Sequence, residues 1–171
     1  FIDRTMGRAS TFFGDGLVGH VSVSDPVSPT LVSHFSSIIK ETDVKCHTNG
    51  TYVCIQGPAF STRAESELYR DWNVHVIGMT ACPEFKLARE AQLHYMTLAL
   101  VTDYDCWHSE EEDVSAESVV QTVKKNSKNV KKILSESLPG LSEKLEPISP
   151  LDNALMSDPA LLTGAQKELL A

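Results

Sequence analysis

The sequence predicts an α/β fold in which a central mixed, largely parallel sheet is flanked by helices. Short apolar runs rich in β-branched and aromatic residues alternate at least twice with segments of helical periodicity. These runs are almost continuously apolar, which is typical of strands that are buried on both faces of a parallel sheet. A chain of 171 residues, 42% of them hydrophobic, is long enough to bury such a core.

The first predicted helix lies between Asp25 and Lys40. Ser28 is a suitable N-cap, and Pro29 occupies the first helical position, where its missing N–H costs nothing. The apolar residues of this segment recur at helical spacing and share one face, which we expect to pack on the sheet. They are Leu31, Val32, Phe35, Ile38 and Ile39.

Two strand-helix units follow. The segment GTYVCIQGP predicts a strand of about six residues that ends at the turn Gly57-Pro58. The segment STRAESELYRDW then predicts a helix, because Thr62 and Glu65 have the spacing of a capping box. The apolar run from Val74 to Met79 predicts the next strand, and CPEFKLAREAQ predicts the helix behind it.

The remaining elements are a third strand and a long helix. We interpret the apolar run from His94 to Thr102 as the strand. Residues 115–138 carry a stripe of valine, isoleucine and leucine among lysines, which predicts an amphipathic helix ending near Pro139-Gly140. Residues 142–171 have only weak periodicity, and there we expect poor order or a short helix near the end.

Charge and composition exclude several classes of protein. Fifteen basic and 23 acidic residues give a net charge of −8, which argues against nucleic-acid and anionic-membrane partners. No apolar run approaches the ~20 residues that span a bilayer, so we expect a cytoplasmic protein, with the nucleus left open as a second compartment. The four cysteines match no structural zinc pattern and are expected to be reduced. Because the chain starts on FIDRT without methionine, we interpret it as part of a longer protein.

Ligands of open α/β sheets bind beyond the carboxyl ends of the strands, and three predicted strand ends carry suitable residues. These ends are QGPAFSTRAE, GMTACPE and TDYDCWHSEEED, which we expect to converge at one rim. The candidates are Phe60, Ser61, Met79, Thr80, Asp103 and Asp105. For the first four, the alternative is a structural role as a packing side chain or a helix cap.

Asp103 and Asp105 are the most specific of these candidates. Residues two apart on an extended segment point the same way, so both carboxylates could converge on one ligand. The alternative is a helix cap or a solvated turn, where aspartate is common. A metal site or a nucleophilic pair involving Cys106 and His108 is disfavoured, because the spacing matches no usual pattern. We interpret the acidic run 110–113 as the solvated first turn of the long helix.

Five segments together resemble one enzyme family. FIDRT, GPAFSTRAES, GMTACPE, LAREA and TDYDCW, in that order and spacing, are similar to the C-terminal part of the 5′-methylthioadenosine phosphorylases, in the purine nucleoside phosphorylase superfamily. The likeness runs from Phe1 to about Pro139. It implies that residues 1–141 are the C-terminal part of a phosphorylase catalytic domain whose leading strands lie outside this chain, and that residues 142–171 form a divergent tail.

The resemblance also implies an activity. It implies a homotrimeric enzyme that cleaves 5′-methylthioadenosine with phosphate, giving adenine and 5-methylthioribose 1-phosphate. Phosphate would be a co-substrate, and no cofactor or metal is implied. Of the implied phosphate contacts only Thr80 falls within this chain, so we expect little activity from the chain alone. Two alternatives remain open, namely a phosphorylase acting on other nucleosides and a non-catalytic binding or regulatory homologue.

Individual roles follow from the same resemblance. Asp103 would protonate the departing purine at N7, and Asp105 would accept a hydrogen bond from its exocyclic amine. Such a pair would disfavour 6-oxo purines, because buried acceptors would be left unpaired. The resemblance also implies that Phe60 stacks on the base, that the backbone of Met79 contacts the ribose and that Thr80 binds phosphate. His20 would contact the 5′ end of the substrate in the neighbouring subunit. Tyr104 and Val119 would make further substrate contacts, and Ser61 and Ala116 would determine specificity.

Overall fold

The computed structural model describes residues 1–108 and 116–170, without the side chains of Ala116, Ser118 and Val119. Within this part of the chain, three parallel strands form one sheet in the order β1-β2-β3. The strands are β1 (Ile2–Arg4), β2 (Tyr52–Ile55) and β3 (Val76–Gly78). The predicted α/β class with a parallel sheet is confirmed, although β2 and β3 are shorter than the apolar runs that predicted them.

The register of the sheet explains why the β2 segment is continuously apolar. Val53 lies between Ile2 of β1 and Ile77 of β3, and Cys54 lies between Asp3 and Gly78. As the central strand, β2 is covered on both faces, and both of its middle residues are completely buried. A strand in that position has no solvent face that would favour alternating polar residues.

Among the residues that the structure describes, five α-helices surround the sheet or follow it in the chain. They are α1 (Pro29–Ile39), α2 (Arg63–Asp71), α3 (Ala81–Glu90), α4 (Ala116–Ser137) and α5 (Gly164–Leu169). The predicted caps are confirmed for the first two: Ser28 Oγ accepts from the N–H of Leu31, and Thr62 with Glu65 forms a capping box. Each cap satisfies N–H groups that the helix itself leaves unpaired.

Side-chain alternation along β2 places α2 and α3 on opposite faces of the sheet. Val53 and Ile55 pack with Tyr69 of α2, whereas Cys54 packs with Cys82 and Phe85 of α3. A separate cluster joins α1 to α4 through four buried side chains. These are Leu31, Phe35, Ile39 and Ile133.

The predicted third strand, from His94 to Thr102, is wrong. This run forms no strand, although the backbone carbonyl of Tyr95 accepts from the N–H of Ser28. Met96 and Leu98 instead pack against the cluster between α1 and α4. The apolar pattern therefore reflects side-chain burial, whereas a strand also needs a ladder of backbone hydrogen bonds with a neighbour.

The segment after α4 lies against the loop before α1. Gly19 and Leu155 form an antiparallel bridge, and the N–H of His20 donates to the carbonyl of Ala154 at 2.9 Å. Ser157 adds a side-chain bond, because its hydroxyl donates to the carbonyl of Gly16 at 2.9 Å. In the portion of the chain that the structure covers, no helix has both the length and the apolar character needed to cross a membrane.

Candidate functional site at the carboxyl ends of the strands

Helix α2 holds the loop that follows Val101. The hydroxyl of Ser66, a residue that is 1% exposed, donates to Oδ2 of Asp105 at 2.5 Å. The guanidinium of Arg63 donates to the carbonyl of Cys106, and that of Arg70 lies 4.1 Å from the ring centre of Trp107. The three α2 residues are spaced i, i+3 and i+7, so one helix face contacts three consecutive loop residues.

The two candidate aspartates form a turn. The hydroxyl of Thr102 donates to Oδ2 of Asp103 at 2.6 Å, and the N–H of Asp105 donates to Oδ1 of Asp103 at 2.9 Å. Asp105 has a φ of 65°, so the extended geometry that we expected for this pair is wrong. Aspartate tolerates this left-handed conformation and readily accepts from the backbone two residues on. The carboxylates are thus held by different donors at fixed positions.

Two glycines, Gly57 in the loop after β2 and Gly78 at the end of β3, are closely approached by other side chains. Gly57 has a φ of 65°, and a Cβ there would lie 2.6 Å from Sδ of Met79. A Cβ on Gly78 would lie 1.8 Å from the hydroxyl oxygen of Tyr52. That hydroxyl interacts with Thr80, and burial raises the pKa of Tyr52. Glycine therefore allows the close contacts that position Met79 and Thr80.

Aromatic side chains remain accessible at this rim. Phe60 is 55% exposed and Tyr104 is 60% exposed. The ring of Tyr104 stacks on that of His108, with centroids 4.9 Å apart. A flat ligand could stack on such rings without displacing a packed core.

The geometry bears on two alternative functions of this loop, a cysteine-histidine nucleophilic pair and a metal site. Cys106 Sγ contacts the carbonyl of Ser61 at 3.8 Å, whereas His108 contacts Tyr104 and Trp107. These separate contacts do not form a cysteine-histidine nucleophilic pair. Over residues 1–108 and 116–170, no group of three or more histidine, cysteine, aspartate or glutamate residues could hold a metal ion.

No described contact joins His20 to this cluster. His20 is exposed, and its backbone is bound to the segment after α4. The side chains of Ala116 and Val119 and the acidic run 110–113 lie outside the described part of the structure.

A model of one family matches most of the chain. Residues 1–139 match the phosphorylase superfamily. The chain belongs to the phosphorylase superfamily. The match contains β1 to β3, α1 to α4 and every site residue discussed above.

Relatives within the superfamily carry a more specific name. S-methyl-5′-thioadenosine phosphorylase of Thermosynechococcus vestitus is 48% identical, over 99% of this chain and 61% of the relative. The protein of the same name from Rhodospirillum rubrum is 44% identical, over 93% of this chain and 56% of the relative. This superfamily member therefore spans about 60% of the length of those curated relatives.

Solved structures of the superfamily have the same fold. A methylthioadenosine phosphorylase from an antarctic soil metagenomic library aligns with a TM-score of 0.84 and 44% identity, over 97% of this chain and 60% of its own. The methylthioadenosine phosphorylase of Schistosoma mansoni in complex with adenine aligns with a TM-score of 0.77 and 31% identity, over 82% of this chain and 57% of its own. The predicted resemblance to this family is confirmed.

Sequence reasoning missed several polar contributors to the site of this superfamily member, namely Arg63, Ser66 and Arg70 of α2 together with Arg8. Ser66 and Tyr69 are three residues apart and buried on the same face of α2, so a serine at an apolar-face position is a usable signal. Arg8 donates to the carbonyls of Gln56, Met79 and Cys82. Its partners are main-chain atoms, and for that reason no residue pattern indicates them.

Proposed function

We propose that the chain provides the purine and ribose side of a 5′-methylthioadenosine phosphorylase. The reaction would convert 5′-methylthioadenosine and phosphate to adenine and 5-methylthioribose 1-phosphate. The observation that carries the proposal is the turn formed by Asp103 and Asp105 at the rim of the sheet. Helix α2 holds this turn through a hydrogen bond to Asp105, and the ring of Tyr104 between the two aspartates is exposed. The names of the relatives and the adenine bound to the schistosome protein support this choice of substrate.

In the proposed mechanism, Asp103 acts on the leaving group. Phosphate oxygen bonds to the anomeric carbon as the N-glycosidic bond breaks, which leaves the bonding electron pair on the purine. Asp103 would deliver a proton, taken up from solvent before this step, to N7 of the purine and so neutralise the developing charge. Thr102 and the N–H of Asp105 fix the position of the Asp103 carboxyl group, so little reorientation is needed during the reaction.

Asp105 is proposed to select the base. Its carboxylate would accept a hydrogen bond from the exocyclic amine of adenine, whereas a 6-oxo purine would present an acceptor to it. Ser66 already donates to Oδ2 of Asp105 and fixes the orientation of that group. Two acceptors facing one another without a donor cost free energy, so adenine is favoured.

The remaining roles are proposals of the same kind. Thr80 would bind phosphate beside Tyr52, and the backbone of Met79 would contact the ribose. Phe60 is exposed enough to stack on the base, and Tyr104 is exposed enough to contact the substrate. Further roles implied by the resemblance are specificity at Ser61 and Ala116, a substrate contact by Val119, and contact of His20 with the substrate of a neighbouring subunit in a cytoplasmic homotrimer.

A chimera tests the activity. The part of the Thermosynechococcus vestitus relative that this chain does not cover is fused to the present residues, and adenine release from 5′-methylthioadenosine is measured with and without phosphate. We expect phosphate-dependent release by the chimera and little release by the 171-residue chain alone. A folded, trimeric chimera that releases no adenine would contradict the proposal. Robust turnover by the chain alone would contradict the assignment of most phosphate contacts to residues outside it.

A further inference from the structure

Arg8 joins three backbone carbonyls at the rim of the sheet. One guanidinium nitrogen, Nη1, donates to the carbonyl of Met79 at 2.7 Å and to that of Cys82 at 2.6 Å. The other, Nη2, donates to the carbonyl of Gln56 at 3.0 Å. Arg8 is partly buried, and these charge-assisted bonds are stronger than bonds between neutral groups.

The three carbonyls belong to two different loops. Gln56 directly follows β2, in the loop that continues to Phe60 and Ser61. Met79 directly follows β3, and Cys82 lies in the first turn of α3 with extended dihedrals, φ −111° and ψ 128°. Thr80 therefore lies between two residues whose carbonyls bind the same guanidinium group.

We propose that Arg8 is a positioning residue that couples the purine loop, residues 56–61, to the phosphate loop, residues 79–82. The inference rests on the proposed function for the roles of these loops, but the coupling itself rests on the contacts of Arg8. Arginine suits this position because its planar group presents several donors in fixed directions. Lysine has a single ammonium group and cannot keep the same three contacts at their present geometry.

The absence of Arg8 would affect both loops together. The carbonyls at the ends of β2 and β3 would lose their donor, and Met79 would lose one of the contacts that hold it against Gly57. The bonds to Met79 and Cys82 are partly buried, so those carbonyls would be left without a donor at a cost in free energy, whereas the bond to Gln56 is exposed. Loss of the Gln56 bond would still release the purine loop from Arg8, so each loop would open more often or adopt another geometry. Aromatic and phosphate-binding residues on the two loops would then no longer be fixed relative to each other.

Hydrogen exchange of backbone amides tests this coupling in the 171-residue chain. We compare the natural chain with Arg8→Lys, Arg8→Met and the control Arg89→Lys. Arg89 also donates to a backbone carbonyl, that of Asp25, but from the last turn of α3. Adenine binding is measured by calorimetry on the same proteins, and thermal unfolding shows whether each variant remains folded.

We expect exchange to rise by about tenfold or more in both loops of the Arg8 variants, with less effect in Arg8→Lys than in Arg8→Met. Exchange in α1 and α4 should stay unchanged, and adenine should bind about tenfold more weakly to the Arg8 variants than to Arg89→Lys. A rise in only one loop, a uniform rise over the whole chain, or unchanged adenine affinity would overturn the coupling.

If Arg8→Met fails to fold, Arg8→Lys gives the decisive comparison. Failure of the natural chain to bind adenine would count against the proposed function, and the exchange measurement would still decide whether Arg8 couples the loops. The two ideas are therefore separable in one set of proteins.

Discussion

Ser66 donates a 2.5 Å hydrogen bond from its buried hydroxyl to Oδ2 of Asp105. The bond connects the inward face of α2 to the residue proposed to read the exocyclic amine of adenine. Because Asp105 has a φ of 65°, its backbone is in a less populated conformation that depends on surrounding contacts. Ser66 is therefore a structural support for base selection, although it need not touch the base.

Ser66→Ala should weaken adenine binding. The variant removes the donor to Asp105, which frees the carboxylate to rotate, and we expect adenine affinity to fall by about tenfold. Calorimetry on the 171-residue chain measures this loss, with Ser37→Ala as the control. Ser37 is an exposed helical serine whose hydroxyl binds only a carbonyl of its own helix among the described contacts. Equal losses in both variants would argue against a specific role for Ser66.

Asp103→Asn should impair the protonation step. In the chimera described above, adenine release should fall on the order of 100-fold, since an amide cannot deliver the proton. Asp152→Asn, at an exposed position in the segment after α4, is the control. Unchanged kinetics in Asp103→Asn would mean that the base is recognised and protonated elsewhere.

Gly78→Ala should destabilise the chain and disturb Thr80. The added Cβ would lie 1.8 Å from the hydroxyl oxygen of Tyr52, so the ring or the strand must move. We expect a loss of about 2–3 kcal/mol in the free energy of unfolding, as for other overpacked sites. Gly164→Ala is the control, because nothing lies within 4 Å of its added Cβ. Urea denaturation of both variants measures the difference, and equal midpoints would contradict the contact.

The carboxylate of Asp3 should make stability depend on acid pH. Burial opposes ionisation, but hydrogen bonds from Lys86 and Thr5 lower the pKa of Asp3 from 3.8 to about 2. A group with a lowered folded-state pKa stabilises the fold above its unfolded pKa, and the effect is lost as pH falls through the folded value.

The test is Asp3→Asn, which should destabilise the chain at pH 7 by about 1 kcal/mol after allowance for solvent screening. The difference from the natural chain should shrink between about pH 4 and pH 2. Thermal unfolding at several pH values measures it. A difference that stays constant over that range would show that the ion pair with Lys86 is not responsible.

Local signals in the sequence were sufficient to predict most elements. The caps at Ser28 and Thr62 and the amphipathic pattern of α4 each correspond to a helix in the structure. The run from His94 to Thr102 was misassigned because apolar side chains serve equally well to fill a helical core or a sheet. Deciding between the two requires knowledge of backbone partners, which lie far away along the chain.

The candidate site, too, could be predicted only in part from the sequence. Asp103 and Asp105 lie in a loop before α4 as predicted, but the strand that we expected to precede them is absent from the described sheet, and the left-handed backbone of Asp105 is not predicted either. It depends on a hydrogen bond within the turn and on Ser66, 39 positions earlier in the chain. The contacts of Arg8 involve only backbone carbonyls, so residue type gives no information about their partners.

Calorimetry of adenine and hypoxanthine binding to the 171-residue chain tests base recognition by Asp105 most directly. The two bases have similar size and stacking surface, and they differ in the 6-amino and 6-oxo groups that Asp105 is proposed to distinguish. We expect measurable adenine binding and at least about tenfold weaker hypoxanthine binding. Equal affinities, or no binding of adenine by the folded chain, would contradict this expectation.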